Sequence, residues 1–291
     1  MKHRFLLLAA ACSVIAPLSA FDSQLINGKL VPKGEFSQVV KIKMNDSECT
    51  ATIVGARSLL TAAHCVSNGA KVNFEFEGVA YTATATRHPN YPGKDQDIAL
   101  LLTETDIVGA QPVSIGGQAE EGLGVLLLGY GCIKEDKPAP PPIKPDPQPQ
   151  PDPDDEDEDD GDQEEDDGES DDEEEDPWPF PWPWKTRAGT RHDGLLRSGP
   201  SVIVGFSGSD MILQQPGGSA LCFGDSGGPA FTNEAGNWVQ LGVNSKGNIE
   251  DKSFDSRLDL PEAQDFLKSY AKDKGVEICG INAVCKAIPV K

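Results

Sequence analysis

Short runs of β-branched and aliphatic residues, broken at close intervals by Gly, Asn or Asp, set the pattern of this chain. Residues 39–44, 51–54, 71–76, 125–128, 202–204 and 238–243 read as strands. Helical spacing occurs only near the end. Pro261 opens that segment, Phe266, Leu267, Tyr270 and Ala271 share a face, and Gly275 stops it. With 291 residues, the chain is long enough for two compact units. Many short strands and one late helix predict an all-β fold.

The first 20 residues change the setting of that fold. Basic Lys2, His3 and Arg4 precede an apolar run from Phe5 to Ala16, and Pro17-Leu18-Ser19-Ala20 follows, the form of a cleavable export signal. The apolar run is too short to span a membrane. A secreted or periplasmic location is expected. Lipid attachment at Cys12 is the alternative, although Ala9 stands where such cleavage sites carry a larger aliphatic residue. With Cys12 removed, Cys49, Cys65, Cys132, Cys222, Cys279 and Cys285 remain, an even set that reads as three disulfides.

Charge is concentrated in one place. The formal net charge is −22, and Asp146 with the acidic residues of 152–176 accounts for 21 of the negative charges, leaving about −1 for the rest. No Lys or Arg occurs from 145 to 176. Like charges without apolar residues cannot collapse into a core, so residues 133–186 are expected to form a disordered insert with stiff, Pro-rich flanks. Three roles are open for it: a solvated brush, a weak calcium site, or a dock for basic proteins. No spaced Asp and Gly pattern marks an organised calcium loop. Pro177-Trp178-Pro179-Phe180-Pro181-Trp182-Pro183-Trp184 closes the insert, either as a recognition element or as a clasp on the protein's own surface.

Candidate chemistry lies outside the insert. Thr61-Ala62-Ala63-His64-Cys65, Asp97-Ile98-Ala99-Leu100 and Gly224-Asp225-Ser226-Gly227-Gly228-Pro229 supply a base, an orienter and a nucleophile. A serine hydroxyl attacks a carbonyl only with an imidazole to take its proton, and a carboxylate must hold that imidazole in one tautomer. The bland reading puts Ser226 in an ordinary Gly-rich turn and His64 in a core. His64, Asp97 and Ser226, in that order, resemble the trypsin/chymotrypsin family of serine proteases, in a secreted, bacterial form. Arg87-His88-Pro89-Asn90-Tyr91 extends the resemblance, with His88 as a structural residue.

The resemblance implies two antiparallel β-barrels and a C-terminal helix. The active site then lies between the barrels, with His64 and Asp97 on the first and Ser226 on the second. The backbone amides of Gly224 and Ser226 form its oxyanion hole. Residues 25–132 cover the first barrel and the start of the second, 187–260 the rest, 261–275 the helix and 276–291 a tail. Leu25 resembles the family's mature N-terminus, with residues 21–24 as a short propeptide and Asp225 as the partner of the freed amino group. Cys49–Cys65 is implied directly, Cys132–Cys222 by analogy, and Cys279–Cys285 then closes a tail loop. Ala220 takes the floor of the specificity pocket, beside the strand Ser245-Lys246-Gly247. Without a carboxylate at Ala220, cleavage after Arg or Lys is not expected.

These readings make the chain a serine endopeptidase acting on polypeptides as a monomer, without metal, cofactor or nucleic acid. A secreted binding or adhesion protein on the same scaffold, acting through the acidic, Trp-rich arm, is the alternative.

Overall fold

A computed structural model describes residues 25, 28–44, 47–92, 96–134, 190–191, 193–214, 219–248 and 252–289. The expected export signal, the propeptide at 21–24, Cys12 and nearly all of the 133–186 insert, including its Trp/Pro run, lie outside them.

Six strands close the first barrel: β2 (Val39–Met44), β3 (Ser47–Ile53), β4 (Ser58–Thr61), β5 (Lys71–Phe76), β6 (Val79–Arg87) and β7 (Ala99–Thr103). A short strand, β1 (Lys29–Leu30), precedes them. The order around the barrel is β2-β3-β4-β7-β6-β5, and antiparallel pairing of β2 with β5 closes it. Strand β5 shows why these residues form sheet. Val72, Phe74 and Phe76 are buried and Lys71, Asn73 and Glu75 exposed, the two-residue period of a pleated strand with one wet face.

Beyond β8 (Ser114–Ile115) come β9 (Gly124–Gly129), β10 (Ile133–Lys134), β11 (Thr190–Arg191), β12 (Arg197–Ser207), β13 (Asp210–Gln214), β14 (Pro229–Glu234), β15 (Asn237–Gly247) and β16 (Lys252–Arg257). Strands β12-β13-β16-β15-β14-β9 form the second closed barrel, completed by antiparallel pairing of β9 with β12. The fold is thus the expected pair of antiparallel barrels, each closed by six strands.

Helix α1 (Pro261–Lys274) starts with Pro in its first turn and ends at Gly275, whose left-handed backbone accepts no side chain cheaply. Its Ala263, Leu267, Tyr270 and Ala271 join the core of the first barrel. Each large apolar side chain buried there contributes roughly 1.5–3 kcal/mol. His88 is buried beneath the helix, donating from Nε2 to the Glu262 carbonyl (3.3 Å) and accepting the Asn90 N–H at Nδ1 (3.2 Å). Burial lowers its pKa, so both ring nitrogens are satisfied by one neutral tautomer. This is a structural histidine.

The tail returns to the first barrel. Cys279 donates its N–H to Val54 O (2.8 Å) and accepts from Ile115 N–H (2.9 Å), while Ile288 exchanges hydrogen bonds with Gly109 (3.0 Å) and Ala110 (2.9 Å). Disulfides join Cys49 to Cys65, Cys132 to Cys222 and Cys279 to Cys285. Among the described residues no helix is long and apolar enough to cross a membrane.

Candidate active site

His64 sits in a single 3-10 turn, Ala63–Cys65, directly after β4. The Cys49–Cys65 bridge ties that turn to the neighbouring β3. Because both thiols are spent in the bridge, Cys49, Cys65 and His64 do not offer a metal site despite their proximity. Asp97 lies two residues before β7, the strand paired with β4, so the sheet brings it to His64.

His64 Nδ1–H donates to Asp97 Oδ2 at 2.6 Å, and the His64 backbone N–H donates to Asp97 Oδ1 at 2.8 Å. Ser245 Oγ donates to Oδ2 as well, at 2.6 Å. Asp97 is nearly buried, which by itself pushes its carboxyl up. The His64 charge and these three hydrogen bonds outweigh burial and hold it below the usual carboxylate value. Asp97 is therefore an anion aimed at one edge of the imidazole, whose side chain remains about 20% exposed. Ser245, expected only at the specificity pocket, also orients Asp97.

Ser226 is half-buried on the turn between Cys222 and β14, and its hydroxyl donates to the Ser245 carbonyl (3.4 Å). The first barrel grips this turn through Thr50. Thr50 N–H donates to Ser226 O (2.8 Å), and its hydroxyl donates to Gly224 O (2.8 Å) while accepting Tyr130 N–H (3.1 Å). Gly227 has φ +83°, and a Cβ there would fall 2.1 Å from Thr61 Oγ1 and 2.3 Å from Thr50 O. No other residue fits the turn this close to β3 and β4. Asp225 N–H donates to Cys222 O and Gly227 N–H to Asn244 O. The Gly224 and Ser226 amides have no acceptor among the described residues, leaving two donors beside the Ser226 hydroxyl.

Asp225 is fully buried, with Oδ1 accepting Gly131 N–H (2.7 Å) and Oδ2 accepting Cys222 N–H (2.8 Å). Burial pushes its carboxyl up to about 7, against the two amides and the Arg197 charge. Leu25 is also fully buried, within the second-barrel core, at φ +50°. Ala220 is buried and Gly247 lies against Leu221. Lys246 turns to Asp210, 2.9 Å away. Thr50 has no sequence signal, because its partners Gly224, Ser226 and Tyr130 are distant in the chain.

Asp255 on β16 is fully buried with both carboxyl oxygens unpaired, and burial together with the Asp210 and Asp225 charges raises its pKa well above normal. The unfolded carboxyl ionises near pH 4. As pH rises past that point, the unfolded state releases a proton that the folded state keeps, so stability present at low pH is lost progressively. Asp225 adds the same trend, ending near its folded value of about 7. In denaturant titrations between about pH 4 and pH 8, the stability difference between wild type and Asp255→Asn is expected to shift in the variant's favour as pH rises. Parallel stability curves would contradict this.

Residues 25–144 match the trypsin family model. Two trypsins of Manduca sexta, "Trypsin, alkaline C" and "Trypsin, alkaline A", are 27% and 26% identical to this chain over an alignment of 164 positions that covers 48% of the chain. The chain spans 64% of the length of these relatives.

Proposed function

We propose that this chain, whose fold and family are those of the trypsin/chymotrypsin serine proteases, is a secreted serine endopeptidase. The observation that carries the reading is the doubly bonded Asp97–His64 pair, on the same barrel as the Thr50 that holds the turn of Ser226 through Gly224 O and Ser226 O. In this mechanism His64 Nε2 takes the Ser226 proton as Oγ attacks the scissile carbonyl. Asp97 holds the tautomer and stabilises the imidazolium, and the Gly224 and Ser226 amides receive the oxyanion. His64 then protonates the leaving amine, and water hydrolyses the acyl-enzyme by the reverse sequence.

Three disulfides suit an oxidising compartment, in keeping with export. At the pocket, buried Ala220 offers no charge to a basic side chain, whose desolvation would go uncompensated, so apolar residues are favoured before the cut. Basic proteins or calcium are proposed partners of the acidic insert, which lies outside the described residues.

The test is digestion of an unbiased peptide mixture by the mature protein, with the products sequenced, alongside labelling by a serine-reactive phosphonate. Cuts after apolar residues and one adduct on Ser226 are expected. Frequent cleavage after Arg would refute the pocket assignment. Neither cuts nor adduct would turn the reading to a binding or adhesion protein.

A further inference from the structure

Asp225 precedes the nucleophile, so whatever fixes its carboxylate fixes the peptide units whose amides border the Ser226 hydroxyl. A carboxylate with no exposure stays ionised only beside a compensating positive charge. The family resemblance suggests the freed amino group of Leu25 as that charge. In the full-length chain, however, the Leu25 nitrogen belongs to a peptide bond and is neutral, yet Leu25 is already buried in the second-barrel core, against Gly199 of β12.

A permanent cation stands on the same strand. Along β12, Arg197, Gly199, Ser201 and Ile203 follow the inward register, and Arg197 is only 3% exposed. Its ladder partner on β9 is Gly129, where a Cβ would fall 2.1 Å from Asp225 Oδ1. Paired residues across an antiparallel ladder lie about 5 Å apart, so the Arg197 backbone is one strand away from the carboxylate. On its other side Arg197 pairs with Leu30 of β1. The terminal guanidinium nitrogens hold Asp193 (3.1 and 3.2 Å), while buried Nε has no partner. A buried guanidinium with a spare donor is placed there by something besides one exposed aspartate.

We propose that Arg197 is the resident counter-ion of Asp225, a positioning residue that keeps the nucleophile turn assembled before the chain is trimmed to Leu25. The inference rests on the endopeptidase reading above. Its charge already opposes protonation of Asp225. Being always protonated, a guanidinium also serves at alkaline pH, where an α-amino group, ionising near pH 8, loses its charge.

The experiment compares proteins beginning at Phe21 and at Leu25, each with Arg197, Arg197→Met or Arg197→Lys, by kcat and KM on one small uncharged peptide. Wild type beginning at Phe21 is expected within about threefold of wild type beginning at Leu25, and to hold its kcat from about pH 8 to pH 10. Arg197→Met beginning at Phe21 is expected to lose about 100-fold in kcat with KM little changed, the cost of a disordered oxyanion donor. Arg197→Lys restores most of the loss. So does trimming Arg197→Met to Leu25, a rescue that a purely structural arginine would not permit. Should Arg197→Met fail to fold, the two wild-type proteins and the Lys variant decide. Activity confined to proteins beginning at Leu25 overturns the role of Arg197 and leaves the endopeptidase standing. Inactivity of every protein overturns both.

Discussion

Replacing Ser226 by Ala is expected to lower kcat for peptide hydrolysis by roughly 10⁶-fold, the cost of deleting a triad nucleophile. The loss falls on kcat because the hydroxyl does not hold the turn: among the described residues it donates to the Ser245 carbonyl, while Thr50 grips the turn by its backbone carbonyls. Thr50 keeps its hydrogen bonds to Gly224 O and Ser226 O, and Gly227 keeps its place against β3 and β4, so thermal unfolding is expected to match wild type. Residual hydrolysis above water would come from the two amides and substrate binding. Initial rates beside a melting curve check both halves. Undiminished turnover in a folded variant would remove Ser226 from the chemistry.

Asp97→Asn is expected to cost roughly 10⁴-fold in kcat. Here the reason is a donor count. Asp97 accepts three hydrogen bonds, from the His64 backbone N–H at Oδ1 and from His64 Nδ1 and Ser245 Oγ at Oδ2. An Asn has one oxygen for those two sites. With its NH2 at the Oδ2 position, Nδ1 must become an acceptor, which moves the ring proton to Nε2, where it cannot take the Ser226 proton. With its NH2 at the Oδ1 position, two N–H groups meet head on. The pH–rate profile of the variant, compared with Asp97→Ala, checks the argument, since a tautomer trap is relieved as the Ser226 hydroxyl ionises at high pH. A loss below about tenfold would contradict it.

How legible these features were follows from how local each one is. Strands at 39–44 and 71–76 match the sequence reading to the residue, because apolar and turn residues delimit them. Strand β6, VAYTATATR, was missed: small and hydroxylated side chains blur its period, and its strand form comes from pairing with β5 and β7 on both sides. Strand β12 was seen only at 202–204, yet starts at Arg197, since Arg197-Ser198-Gly199-Pro200 has no apolar rhythm and its ladder with β9 is formed across the acidic insert. At the site, residues within dense local motifs could signal a role from the sequence alone. Thr50 and Arg197 could not, because a lone Thr or Arg acquires meaning only from what lies against it in space. Ser245 was read as a pocket residue, and its hydroxyl on Asp97 was invisible for the same reason.

The return of the tail to the first barrel sets an order of assembly. That barrel is encoded by the first third of the chain, yet Val54 O and the Ile115 N–H wait for Cys279, and Gly109 and Ala110 wait for Ile288. Its core also awaits Leu267 and Tyr270 of α1. The barrel that emerges first from the ribosome can be finished only once residues 267–288 have emerged, so in a nascent chain it stays open until then. Removing residues 261–291 would therefore unsettle a part of the molecule distant in sequence, the β4–β7 pair that flanks His64 and Asp97.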